Sequence, residues 1–134
     1  MMSDDRVARI LTIDDDLDTL GLIQMVLKRA GYEVATASRW DQVLECVNAA
    51  IESRQLFDLI ILDIMMPERS GFDTYRLLEK LLDPIPPVIF LSARYSADDM
   101  LFAFDLGAAK YLLKPTTPDK LLEAVRNVLG SVDN

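Results

Sequence analysis

The chain has 134 residues, of which 51% are hydrophobic and 27% charged, with a formal charge of −8. This length suits one domain, and chains near it bury roughly 70% of their unfolded surface, enough for a core without covalent staples; the composition excludes a disordered chain. The acidic balance argues against direct contact with DNA or RNA, and the absence of histidine excludes His-ligated metals, Ser-His and Cys-His catalysis and a role as phosphohistidine donor.

The opening Met1-Met2-Ser3-Asp4-Asp5-Arg6 is too polar for a signal peptide. No apolar run nears the ~20 residues of a membrane span, so a cytoplasmic protein without membrane contact is expected. Residues 7–13 predict the first strand. Leu17, Leu20, Ile23, Leu27 and Ala30 follow at helical spacing, with Gly31 as the C-terminal stop. Residues 32–37 predict a shorter second strand, and residues 40–53 a helix with Val43, Leu44, Val47 and Ile51 on one face. That helix carries the single cysteine, Cys46, which excludes an internal disulfide and fits a reducing compartment. Leu59-Ile60-Ile61-Leu62 predicts the third strand, and its unbroken apolar run fits a central parallel strand covered on both faces. Ser70 caps a helix over residues 71–82, which Asp83-Pro84-Ile85-Pro86-Pro87 ends. Residues 88–91 predict the fourth strand. Ser96 and Asp99 loosely resemble a capping box and open a helix to residue 106, closed by Gly107. Residues 111–113 predict a short fifth strand. Thr117 and Pro118 start the last helix as N-cap and first-turn proline, with Leu121, Leu122, Val125 and Leu129 as its buried stripe and Gly130 as its stop.

Five strands alternating with five helices predict an α/β fold, a doubly wound parallel sheet with right-handed crossovers. The shorter of the two common strand orders, 2-1-3-4-5, suits five strands. Ligands bind such sheets beyond the carboxyl ends of the strands where the order reverses, here between the first and third strands. Those are the two acid-tipped strands: Asp14, Asp15 and Asp16 follow the first, and Asp63 follows the third. Ser92 ends the fourth strand and Lys114 the fifth, whereas the second ends in the bland Thr36-Ala37.

Carboxylates so grouped repel; two unit charges ~4 Å apart cost on the order of 4 kcal/mol at a surface-like dielectric. A hard divalent cation relieves this, and Mg2+ suits one or two carboxylates with waters and a phosphate oxygen. Acids, one lysine, one hydroxyl and no base suit phosphoryl transfer to a carboxylate, where positioning and charge neutralisation do most of the work. Asp16 reads as a helix cap rather than a ligand, and Met65-Met66 as packing and loop geometry rather than sulfur ligation.

The chain resembles the receiver domains of two-component response regulators. The resemblance spans about residues 9–129 and stands on Ile13-Asp14-Asp15, Leu62-Asp63-Ile64-Met65-Met66-Pro67 with Gly71 after it, Leu91-Ser92-Ala93, and Tyr111-Leu112-Leu113-Lys114-Pro115. It implies a (βα)5 flavodoxin-like fold, residues 1–134 as a single receiver domain with its core at about 7–130, and no output domain in view. It implies a phosphoprotein that signals rather than an enzyme, although one that assists its own phosphorylation and dephosphorylation. Asp63 would accept a phosphoryl group from the phosphohistidine of a histidine kinase or histidine phosphotransfer protein. Mg2+, with Mn2+ as a substitute, would be held by Asp15, Asp63 and the Met65 carbonyl, with Asp14 acting through water. Lys114 and Ser92 would meet phosphoryl oxygens, with the Met65 and Ala93 N–H groups as further donors. The Lys114-Pro115 bond is cis in this family. Tyr111 matches the switch aromatic: as Ser92 moves toward the phosphoryl group, the ring turns inward and the surface of the fourth helix, fifth strand and fifth helix changes. The positions of Met65 and Arg94 tune phosphoryl lifetime, and their bulk here predicts a phospho-form lasting minutes or longer. The signal would pass to a downstream protein or a fused output domain. The molecule would be a monomer or a weak phosphorylation-dependent dimer; Lys110 stands where the transcription-factor branch commonly has an acid, against that branch's dimer mode.

Two other readings stay open. Asp14-Asp15-Asp16-Leu17-Asp18-Thr19 superficially resembles the D-x-D motif of haloacid dehalogenase phosphohydrolases, with Asp18 where the motif wants Thr or Val and no room for a substrate cap. A receiver-like docking module that never takes phosphate is the other. A nucleotide-binding role lacks a glycine-rich loop after the first strand. Trp40, where many relatives have a turn glycine, is expected to cover the sheet edge or its own helix. The somewhat long stretch over residues 43–55 departs from the family pattern away from the site and bears on partner docking.

Overall fold

The computed structural model describes residues 6–133; the polar opening segment, residues 1–5, and residue 134 lie outside the described residues. Strands and helices alternate as β1 (Arg9–Ile13), α1 (Leu17–Arg29), β2 (Glu33–Ala37), α2 (Trp40–Ser53), β3 (Leu59–Asp63), α3 (Gly71–Leu81), β4 (Val88–Ser92), α4 (Ala97–Leu106), β5 (Lys110–Leu113) and α5 (Pro118–Asp133). All neighbouring strands pair in parallel, in the order β2-β1-β3-β4-β5.

Side chains on a strand alternate between faces, and here each face meets its own core. Ile60 and Leu62 of β3 join Leu11, Ile13 and Phe90 in the cluster that receives Val43 and Val47 of α2, Tyr75 and Leu78 of α3 and Ala103 of α4. Leu59 and Ile61 join Ile10, Ile89 and Leu91 against Ile23 and Leu27 of α1 and Leu121 and Val125 of α5. The unbroken Leu-Ile-Ile-Leu run follows from this: β3 is covered on both sides along its whole length. Asp58, which interrupts the apolar run before β3, accepts from the two terminal Arg6 guanidinium nitrogens, Nη2 and Nη1 (2.9 and 3.2 Å), and from the Arg9 N–H (2.8 Å). It clasps the chain ahead of β1 to the foot of β3.

The helix starts obey their sequence signals. Asp16 accepts from the Asp18 N–H (3.1 Å), Ser70 from Asp73 (3.1 Å), Ser96 from Asp99 (3.1 Å) and Thr117 from Lys120 (3.2 Å); such caps typically contribute ~1 kcal/mol each. Gly31 and Gly107 take positive φ (100° and 112°) past the ends of α1 and α4, a conformation that favours glycine.

Four expectations need correction. Val7 and Ala8 precede β1 rather than joining it, because the pairing with β2 begins at Arg9. Ile51 is 45% exposed, and Ala50 takes the buried place on α2. The capping box is half formed: Ser96 caps, but the Asp99 carboxylate faces Arg94 at 3.4 Å. Gly130 does not stop α5, which continues to Asp133; its φ is not positive, so the glycine simply lies within the helix.

An added Cβ at Gly130 meets nothing within 4 Å. Gly130→Ala should therefore stabilise the fold by about 0.5–1 kcal/mol through lost unfolded-state entropy. Urea unfolding should show a higher midpoint at unchanged slope; a lower midpoint contradicts this placement.

Candidate functional site

Strand register assembles the site. Ile13 of β1 lies opposite Leu62 of β3, so the next residue on each strand, Asp14 and Asp63, emerge side by side. Asp63 is in register with Leu91 of β4, and Ser92 with Leu113 of β5, which puts Ser92 and Lys114 at the same end of the sheet. The predicted tips thus share one edge. Asp14 and Ser92 are fully buried and Asp63 is 2% exposed, whereas Asp15 opens to solvent.

One carboxylate oxygen each from Asp14, Asp15 and Asp63 lie within 4.8 Å of one another. Asp14 Oδ1 accepts from the Asp16 N–H (3.0 Å), while Oδ2 faces the Lys114 ammonium at 2.7 Å. Asp63 Oδ1 accepts from the Met65 N–H (3.1 Å), and Oδ2 lies 3.4 Å from Lys114 Nζ. Lys114 is placed through its backbone: its N–H donates to the Ser92 carbonyl (2.8 Å), and its bond to Pro115 is cis, as is Asp83-Pro84.

Burial, and next the charge of Asp14, push the Asp63 carboxyl up from 3.8 to about 7, against the pull of Lys114 and the Met65 N–H. For Lys114 burial works against the charged form, but its hydrogen bond and charge contacts with Asp14 and Asp63 outweigh that and raise its pKa. Three carboxylates against one ammonium leave excess negative charge in a small space, and all the side-chain donors are hard oxygens. The residues therefore fit a hard divalent cation of the Mg2+ type.

Gly71 has a steric role that spacing alone does not show. A Cβ there would lie 2.4 Å from the Asp63 carbonyl oxygen and 2.8 Å from Ile64 Cα. Only glycine lets the first turn of α3 lie against the tip of β3, where the Gly71 N–H donates to the Ile64 carbonyl (2.9 Å).

The other predicted residues stand as follows. The Ser92 hydroxyl is engaged locally, donating to the Arg94 carbonyl (2.9 Å) and accepting from the Arg94 N–H (3.2 Å). The Arg94 guanidinium lies 3.4 Å from Asp99 at the start of α4. Met65 is 46% exposed on the loop after β3. The Tyr111 ring packs partly against the core, with its buried hydroxyl unpartnered. Sequence reasoning missed a contact beside the site: the Arg69 guanidinium stacks 4.7 Å from the ring centre of Trp40, which itself packs against the core. Only the sidedness of the fold brings these two together, so no local spacing reveals it.

A family model for the response regulator receiver domain matches residues 10–126. The transcriptional regulatory protein CpxR of Escherichia coli (strain K12) is 35% identical over 121 residues, covering 90% of this chain and 49% of that protein. PrrA of Mycobacterium tuberculosis is 38% identical over 121 residues, with the same two coverages, 90% and 49%. The chain spans about half the length of the curated relatives it matches. Among solved structures, a response regulator receiver domain protein from Clostridium thermocellum has a TM-score of 0.81 at 34% identity, covering 95% of this chain and 98% of that one.

The raised Asp63 pKa has a stability consequence. An acid that holds its proton more tightly folded than unfolded costs nothing extra well below its unfolded value of 3.8, and destabilises increasingly as pH rises toward about 7. In metal-free buffer, Asp63→Asn should be more stable than the parent by on the order of 1–4 kcal/mol at a pH near 8, with the gain fading as pH falls toward 4. Urea unfolding at both pH values tests this, and a gain independent of pH would contradict it.

Proposed function

The chain belongs to the response regulator receiver domain family, and from that premise we propose that it takes a phosphoryl group on Asp63 from the phosphohistidine of a histidine kinase or histidine phosphotransfer protein. The observation that carries the reading is a nearly buried carboxylate, Asp63, packed beside Asp14 and Asp15 with the Lys114 ammonium 3.4 Å away. In the transfer, an Asp63 oxygen forms the new O–P bond as the P–N bond of the phosphohistidine breaks, and the imidazole nitrogen leaves with the electron pair. Asp63 must be ionised to attack, and burial opposes that near neutral pH.

Asp15, Asp63 and the Met65 carbonyl would hold Mg2+, or Mn2+ in its place, with Asp14 reaching it through water. When bound, the ion neutralises the carboxylates and the incoming phosphoryl oxygens. Lys114, freed in part from Asp63, would turn to a phosphoryl oxygen. Ser92 would exchange its local partners at Arg94 for another, with the Met65 and Ala93 N–H groups as further donors. A phosphoryl group adds roughly −1.5 to −2 charges. Tyr111, whose ring already packs partly against the core with its hydroxyl buried, would then be held in that inward position as the α4-β5-α5 surface changes, passing the signal to a downstream protein or a fused output domain.

Incubation with Mg2+ and acetyl phosphate should add one phosphoryl group by intact mass. Asp63→Asn or excess chelator should abolish the gain; an unmodified mass under saturating donor overturns the reading in favour of a docking module.

Met65 and Arg94 stand at the positions that tune phosphoryl loss, and their bulk should shield the acyl phosphate from water. After donor removal, the phosphorylated mass should persist for minutes or longer. Decay within seconds would show that these side chains do not screen it.

A further inference from the structure

The segment between β3 and α3 carries the Met65 N–H that holds Asp63, so its position matters to the acid pocket. Its two ends are fastened: the Ile64 N–H donates to the Leu91 carbonyl (2.9 Å), and the Ile64 carbonyl accepts from Gly71 (2.9 Å). Its crown is not. Among the described residues, Met66, Pro67, Glu68 and Arg69 make no backbone hydrogen bond to the rest of the molecule. Beneath it lies a cleft of about 510 Å³ beside Asp15, lined by Arg39, Trp40, Met66, Pro67 and Arg69 among others. The crown thus spans open space instead of resting fully on packed core.

The Arg69 guanidinium crosses that space to lie 4.7 Å from the Trp40 ring centre. Trp40 is the first residue of α2 and packs against the core cluster of β1 and β3, so the stack is anchored at one end. It joins elements on opposite sides of β1, whose tip carries Asp14 and Asp15. The residue before Trp40 adds charge of the matching sign: Arg39, bonded first to Asp41 (3.1 Å), also feels the negative charge of Glu68 on the crown. Arginine is the cation most often found over an aromatic face, and tryptophan is the best ring for it.

We propose that the Arg69–Trp40 stack is a strap that fixes the β3–α3 loop over the mouth of the acid pocket, making both of them positioning residues for the cation site. The inference rests on the phosphoacceptor reading for its purpose, and its geometry stands without it.

Two measurements test it. Amide hydrogen exchange on the metal-free protein should show the loop amides that are hydrogen-bonded, Met65 and Gly71, exchanging about 2–5-fold faster in Arg69→Ala, with the β3 core amides unchanged. Calorimetric titration of Mg2+ should show Kd weakened about 2–5-fold in Arg69→Ala and Trp40→Ala, near-parental binding in Trp40→Phe, and a double variant no worse than the weaker single one. Trp40→Ala also removes core contacts, so Arg69→Ala, which leaves the core intact, decides. Unchanged loop exchange in Arg69→Ala, or strictly additive losses in the double variant, would overturn the strap. A parent protein that takes no Mg2+ would instead sink the phosphoacceptor reading, with loop exchange still deciding the strap.

Discussion

Crowding of like charge at the end of an apolar sheet is the constraint on which everything else depends. Asp14 and Asp63 project from adjacent, fully covered strands, so their carboxylates cannot separate or reach bulk water. Desolvation and mutual repulsion would protonate or expel one of them without compensation. Lys114, the Asp16 N–H and the Met65 N–H supply part of that compensation. The residual negative charge is what fits the pocket to a hard divalent cation. The hydrophobic clusters on both faces of the sheet provide the rigidity that keeps so unfavourable an arrangement in place.

That arrangement was largely readable from the chain because strand ends are local features. Asp14, Asp63, Ser92 and Lys114 each follow a short apolar run, and one topological rule brings them to a common edge. Helix starts were equally legible, since Ser70, Ser96 and Thr117 act on amides only three residues away. Features that depend on contacts distant in sequence were not. The need for glycine at 71 comes from backbone approach to Asp63 and Ile64, invisible as spacing. The stacking of Arg69 on Trp40 joins residues from separate β-α units. Gly130 misled because a glycine stops a helix only where the backbone takes positive φ, and the docking of α5 through Val125 and Val128 carries the helix past it.

Aromatic contacts link the strand that carries Ser92 to α4. Phe90 lies on β4 two residues before Ser92 and meets Phe72 of α3 edge-on at 5.3 Å, and Phe72 meets Phe102 of α4 at 4.8 Å. The Tyr75 hydroxyl donates to the Leu106 carbonyl at the end of α4 (3.0 Å). Edge-to-face pairs are directional, so they resist sliding more than aliphatic contacts do. Ring contacts therefore run without a break from β4 to α4, a helix whose Leu101, Phe102 and Phe104 are all exposed.

The Asp58 clasp has a consequence for how such a unit can be built into something larger. It holds Arg6 at the amino ends of the strands, and α5, running back against its preceding strand, finishes at that same pole. Arg6 and Asp133, the first and last described residues, thus lie at the pole opposite the acid pocket. A segment joined at either end therefore starts its course with the whole sheet between it and the acid pocket.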